Sequence, residues 1–230
     1  MTADLPPLSS TPRTRLTRSR ERAVSEREAL LAVLREALIG HVGVTVGDGD
    51  EAHPVVLPVA IAVDPDGPDA GGTLYLHGSV AAGWLRWVRE RTVCVTVTHL
   101  DGLVAARSGM HHSMNYRSAV VLGRCRVVED DAERIAALDR VIDHGLPGRA
   151  ATLRPPLRKE MAATVVLAVP LLEASLKVRA AGVNDDPVDD GSPTWAGVVP
   201  LRVVAGEPEP DEGVDWPAPP DVLAACEAHR

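Results

Sequence analysis

Phenylalanine is absent from this chain of 230 residues, and aromatic residues of all kinds make up only 3% of it. A core of ordinary size must then be filled with valine, leucine, alanine and isoleucine, and each of the four tryptophans and two tyrosines stands out individually. Lysine is nearly absent as well, standing only at 159 and 177, so positive charge is carried by arginine. Arginine suits bidentate contact with phosphate or carboxylate, and the same bias also arises from genome composition. Cysteine occurs three times, at 94, 125 and 226, an odd number without metal-ligand spacing. No apolar signal region opens the chain, and no run is long and apolar enough to span a bilayer. These absences point to a soluble, reduced, cytoplasmic protein with no membrane role.

A net charge of −8 argues against general nucleic-acid binding. The charge is uneven, however. Arg13, Arg15, Arg18, Arg20, Arg22 and Arg27 crowd one short segment, whereas the chain beyond Gly182 is rich in Asp and Glu. The basic segment reads as a stretch that folds over the rest of the domain or over a partner.

Residues 1–12 are Pro-rich and polar and are expected to form a disordered arm. From Ser25 to Ile39 the apolar spacing is helical, Ser25 and Glu28 have capping-box spacing, and Gly40 is expected to stop the helix. Strands are expected over HVGVTV, EAHPVVLPVAIAVD and GGTLYLHGS, the second carrying Pro54 and Pro58, which suit a sheet edge or a backbone used for something other than a ladder. A helix is expected from GSVAAGWLRWVRER, then strands over TVCVTVTHLDGLVAA and SAVVLGRCRVVED. The next segment predicts a helix capped by Asp130 or Asp131, with Ile135, Leu138 and Ile142 on its buried face. ATVVLAVPLLEASLKVRA reads as one strand containing Pro170, TWAGVVPLRVVAG as the last strand, and the remainder as a Pro-rich tail. Short links favour antiparallel pairing, giving a barrel with helices packed outside.

The densest polar stretch is HHSMNYRS at 111–118, directly before a buried strand. His111 and His112 invite a metal, but adjacent side chains diverge and no Cys or Glu stands at ligand spacing, so no metal is assigned. Ser113 lies outside any G-x-S-x-G elbow and is not assigned as a nucleophile. No catalytic residue is assigned. His41, His53 and His99 read as turn or surface residues.

Taken in order, HVGVTV, PVVLPVAIAV, LYLHGS, VCVTVTHLDGLVAARS, HHSMNYRSAVVLGRCRVVED and WAGVVPLR resemble the pyridoxamine 5′-phosphate oxidase-like family, most of all its flavin-nucleotide-binding, nitroimidazole-resistance-type branch. The resemblance spans roughly residues 13–205, leaving 206–230 as tail. It implies a mainly β, α+β fold, an antiparallel split β-barrel with flanking helices. It also implies a homodimer that holds FMN at the subunit interface.

Carried onto this chain, the resemblance lays Val56, Leu57, Pro58 and Val59 beside the flavin ring and His77, Gly78 and Ser79 along the ribityl phosphate. A buried strand with a proline bulge and an ordinary Ser79 N-cap are the plain alternatives. Ala82, Gly83 and Trp84 stand where relatives carry a basic residue, and Arg86, one turn on, is the substitute. Arg117 is the expected phosphate partner, with Tyr116 and Ser118 beside it, and Trp195 approaches the flavin from the partner subunit, with Lys177 and Arg179 adding charge. A solvated arginine and a core tryptophan are the alternatives there.

Three functions compete. One is an oxidoreductase passing electrons, from a donor such as NAD(P)H, to a small nitro or quinone-like electrophile; without G-x-G-x-x-G the nicotinamide would bind only transiently. The second is a non-catalytic flavin, haem or deazaflavin binder. The third is a dimeric regulator whose site has decayed.

Overall fold

The computed structural model describes residues 5–228. Alternation sets its frame. In β5 (Thr92–Ala105), Val93, Val95 and Val97 are buried while Thr92 and Thr98 face solvent, because successive side chains leave a strand on opposite faces. β6 (Ser113–Arg124) continues the pattern through Ala119, Val121 and Gly123.

Ten strands form one antiparallel sheet. Besides β5 and β6 they are β1 (Ala23–Val24), β2 (Ile39–Val46), β3 (His53–Asp64), β4 (Thr73–Ser79), β7 (Arg126–Val127), β8 (Thr164–Pro170), β9 (Glu173–Arg179) and β10 (Gly197–Pro200). Their order is β1-β9-β6-β5-β2-β3-β4-β8-β7, with β10 added to β5. β3 bends the sheet: His53–Ala60 pairs with β2, and Ile61–Asp64 with β4. The sheet then curls until β6 lies on β8. There Gly123 is required, since a Cβ would stand 2.7 Å from Val169 Cγ1 and 3.0 Å from Pro170 Cδ. The result is the expected α+β split barrel, with more strands than the sequence suggests. ATVVLAVPLLEASLKVRA, which reads as one strand, is a hairpin of β8 and β9 turning at Leu171 and Leu172.

α1 (Arg27–Glu36) plugs the barrel with Leu30 and Leu34, against Val42, Ile61, Leu76 and Leu167. As the missing phenylalanine requires, this core is aliphatic. The expected capping box is not formed: Glu26 is the N-cap residue, and the Ser25 amide and hydroxyl donate to its carboxylate at 3.1 and 3.0 Å. Nor does Gly40 end the helix. Ala37 is already extended, and Gly40 sits in β2, where a Cβ would strike Ile61 Cγ2 at 2.7 Å. α2 (Leu85–Val88) is a single turn.

α3 (Asp131–Gly145) is capped by Asp130, whose Oδ1 accepts from the Glu133 amide at 2.8 Å. Of the expected face, Leu138 packs inward beside the buried Ala137, whereas Ile135 is 39% exposed. α4 (Arg158–Ala163) leads into β8. Residues 1–4 of the expected loose arm lie outside the described residues, but the rest is fastened: Leu8 is buried, its amide donates to Ser25 O at 3.1 Å, and Ser9 donates to Ala174 O at 2.9 Å. The tail is not featureless either. α5 (Pro220–Ala228) docks through Asp221, 3.2 Å from Arg149, and buries Ala225. Among the described residues no helix is long and apolar enough to cross a membrane.

Arg126 joins the second sheet half to α3. Its guanidinium donates to both Asp69 oxygens at 2.9 Å and to Glu133, while the Tyr75 hydroxyl donates to Glu133 at 3.0 Å. Burial alone would raise the Asp69 pKa, but hydrogen bonds from Arg126 and Thr73 outweigh it and hold the carboxyl below its usual range. The stability linked to this depressed pKa is fully present above the unfolded value of about 3.9 and disappears as pH falls through the folded value. Urea unfolding from about pH 5 to about pH 2 should therefore show a smaller acid loss in Asp69→Asn than in the wild type. Gly123→Ala should cost about 1–3 kcal/mol in the same assay, by overpacking the β6–β8 contact.

Candidate functional site

The strands part where β3 bends. β4 leaves β3 after Leu76, so His77, Gly78 and Ser79 pair only with β8, while His53–Ala60 pairs only with β2. Both strands thus present free edges to the split. Pro54 and Pro58 fit there because they have no amide hydrogen to offer a ladder, so the edge alternative for this strand is the one realised. Val56 (63% exposed) and Pro58 turn outward, whereas Leu57 and Val59 turn inward against the core. His77 Nδ1 is buried at the split with no hydrogen-bond partner, and burial lowers the imidazole pKa. A buried orphan of this kind fits a ligand able to hydrogen-bond with it.

The outer sheet face runs from this split across β2, β5, β6 and β9 in cross-strand rows. One row is Val56, Gly43, Cys94 and Leu122; the next is Pro58, His41, Thr96 and Val120; a third is Thr98, Ser118, Lys177 and Ala23. The Thr98 and Ser118 hydroxyls lie 3.3 Å apart on this face. Ile39, Leu100, Leu103 and Met114 are exposed on these strands, and no element of the described residues covers them. An exposed apolar patch of this kind marks a binding surface.

Arg117 is already bonded within the fold. Alternation separates it from Tyr116 and Ser118 and turns it inward. Its Nε and Nη2 donate to Asp101 at 3.0 and 2.8 Å, Nη2 also donates to Glu36 Oε1 at 2.8 Å, and Nη1 donates to Glu36 Oε2. Hydrogen bonds to Glu36, and then to Asp101, raise its pKa further. In this structure the guanidinium is thus engaged by two carboxylates. Its partners come from α1 and β5, so it ties the plug helix to the wall. His99 helps, with Nε2 3.0 Å from Val33 O; it is not a turn or surface residue.

The other expected phosphate contacts also lie elsewhere. Ser79 caps no helix, since α2 begins only at Leu85; its hydroxyl accepts from the Ala81 amide at 3.3 Å in a local turn. Arg86 stacks on Trp87, 5.1 Å from the ring centre, and nothing lies within 4 Å of a Cβ at Gly83. Lys177 donates to Arg18 O at 3.2 Å. Arg179 is buried, bonding Asn115 Oδ1 and the carbonyls of Ala181 and Gly182. Tyr116 is half-buried opposite Leu100. Trp195 is 66% exposed just before β10 and lies over Gly197, where a Cβ would come within 2.8 Å of the ring.

The histidines of HHSMNYRS serve the loop between β5 and β6. His111 Nδ1 is 3.2 Å from Ser108 Oγ, and His112 Nδ1 is 2.9 Å from Ser108 O. His111 also meets Asp185 and Asp189, partners too distant in sequence to be foreseen. Asp185 is committed already, accepting from the Arg107 amide at 2.9 Å and guanidinium at 2.6 Å.

An antiparallel split barrel beside an uncovered sheet face defines a fold class rather than a single activity. The chain belongs to the pyridoxamine 5′-phosphate oxidase family, whose sequence pattern matches residues 26–178. Among solved structures it is similar to the flavocytochrome Anf3 of Azotobacter vinelandii, at 34% identity and TM-score 0.84, covering 95% of this chain and 98% of that one. It is also similar to the FAD and heme binding protein of Mycobacterium smegmatis, at 37% identity and TM-score 0.79, covering 89% and 97%. A putative 5-nitroimidazole antibiotic resistance protein from Bacteroides thetaiotaomicron shares the fold, at 24% identity and TM-score 0.55 over 68% of this chain and 86% of that one. No curated protein matches the sequence.

Arg117→Ala should lower folding stability by about 1–3 kcal/mol, moderated by partial exposure, because it strands two carboxylates. Its effect should be less than additive with that of Glu36→Gln in a denaturation double-mutant cycle.

Proposed function

We propose that this chain is a flavin-binding oxidoreductase that works as a homodimer with the cofactor at the subunit interface. The split between β3 and β4 carries the proposal: the free backbone edge at Val56–Val59 and the strand segment that carries the buried, orphaned His77 Nδ1 both lie where the two strands part. Such groups fit the hydrogen-bonding rim of an isoalloxazine ring, and the apolar outer face fits a second copy laid over it. A bound flavin would supply the electron transfer, while the protein orients the ring and excludes water. NAD(P)H is the proposed donor, and a small nitro or quinone-like molecule the acceptor.

FMN is the form that the family resemblance implies. The relative from M. smegmatis is named for FAD, and both well-matched relatives are named for haem chemistry as well as flavin. They favour a second reading, in which the chain holds a haem beside the flavin.

The visible spectrum of the purified protein tests both, with mass identification of released cofactor. Flavin bands with FMN or FAD released, bleached by NAD(P)H without oxygen, are the expected result. An added Soret band would support the second reading, and a colourless protein that takes up neither added flavin nor haem would overturn both.

A further inference from the structure

Glycine inside a strand needs a cause, and Gly40 and Gly123 have one. A Cβ on either would stand 2.7 Å from a packed side chain, Ile61 for the first and Val169 for the second. Gly43, in the middle of β2, has no such cause. Its φ lies outside the left-handed region. A Cβ there would meet Cys94 O at 3.6 Å, Cys94 Cβ at 3.8 Å and Val56 Cγ2 at 4.0 Å, all ordinary van der Waals distances. The fold would therefore accept a side chain at 43. Glycine in a strand costs backbone entropy and forgoes packing, and what it offers in return is close approach from outside.

That outside is the outer sheet face beside the split. β2 pairs Gly43 with Val56 on one side and with Cys94 on the other. Along β2 its neighbours on the same face are His41 and Thr45, both exposed. Side chains thus rise on four sides of a bare stretch of backbone. The ladders to β3 and β5 take up the hydrogen-bonding groups of that floor. A ligand settling there is held by carbon contact and by the faces of peptide groups, which suits a flat, apolar edge. Val56 also belongs to the part of β3 whose other edge is free, so the depression adjoins the split with no strand between.

We propose that Gly43 is the seat of the benzenoid end of the flavin ring, flanked by Val56 and Cys94; the inference rests on the flavin reading above. The polar rim of the ring finds its partners at the free edge of β3. Its dimethylbenzene end has no hydrogen-bonding groups and belongs on a surface that asks for none. A side chain at 43 would hold that end away from β2. Gly43 is thus a specificity-determining residue, setting by its missing Cβ how closely the ring lies on the strand.

The test is titration of FMN, FAD and their 7,8-didemethyl analogues into cofactor-stripped wild type and Gly43→Val, followed by flavin fluorescence. Thermal unfolding and sedimentation are measured on the cofactor-free proteins, with Gly43→Ala included. Gly43→Ala should unfold no earlier than wild type, because its Cβ meets only ordinary contacts. Affinity for the natural flavin should fall about tenfold or more in Gly43→Val. The analogue, without the ring methyls, should lose less. Unchanged affinity in Gly43→Val, or equal losses for flavin and analogue, overturns the seat and leaves the flavin reading standing. A Gly43→Ala that unfolds earlier assigns the glycine to the fold. A cofactor-free Gly43→Val that loses a dimer formed by wild type assigns it to contact with the second copy. Either result also overturns the proposal. If wild type binds neither FMN nor FAD, the flavin reading itself fails and the seat with it.

Discussion

Arg117 joins the plug helix to the barrel wall, and the arrangement of the rest follows from that joint. Glu36 stands at the end of α1 and Asp101 in β5, and one planar guanidinium spans both. Its five donors in a rigid fork suit two carboxylates at once, which a lysine could not match. With the helix end fixed, Leu30 and Leu34 reach the centre of an aliphatic core. The same bonds engage, in this structure, the cation that the family resemblance expects beside a phosphate.

Much of the fold was legible because it follows local rules. Alternating valines announced β5 and β6, the pair Asp130 and Asp131 announced the start of α3, and Pro54 with Pro58 announced an edge or a backbone free of a ladder. What was not legible depends on long-range geometry. Gly40 looks like a helix stop, but its constraint is Ile61 across the sheet. Ile135 has helical spacing, yet the buried face of α3 is chosen by what β4 and β8 offer it.

The candidate site divides the same way. Val56–Val59 and His77–Ser79 were placed in order by resemblance, and the structure sets both at one split in the sheet. Tyr116, Arg117 and Ser118 were read as a cluster because they are neighbours in the chain. A strand sends neighbours to opposite faces, so Arg117 turns inward while Tyr116 and Ser118 share the outer face, Ser118 paired between Lys177 and Thr98 and Tyr116 between Arg179 and Leu100. The arginine-rich segment was visible from composition alone, but its seat on β9 was not, since that depends on a two-residue strand some 150 residues away from its partner.

The ringless core has an optical consequence. Trp84 and Trp87 are half-buried around α2, and Trp195 and Trp216 are exposed, so every indole sits at or near the periphery. Intrinsic indole emission therefore reports on the rim of the molecule and on the margin of the core where Trp84 and Trp87 pack. Loosening around α2 or the β10 edge would change the emission while the valine and leucine centre stayed intact.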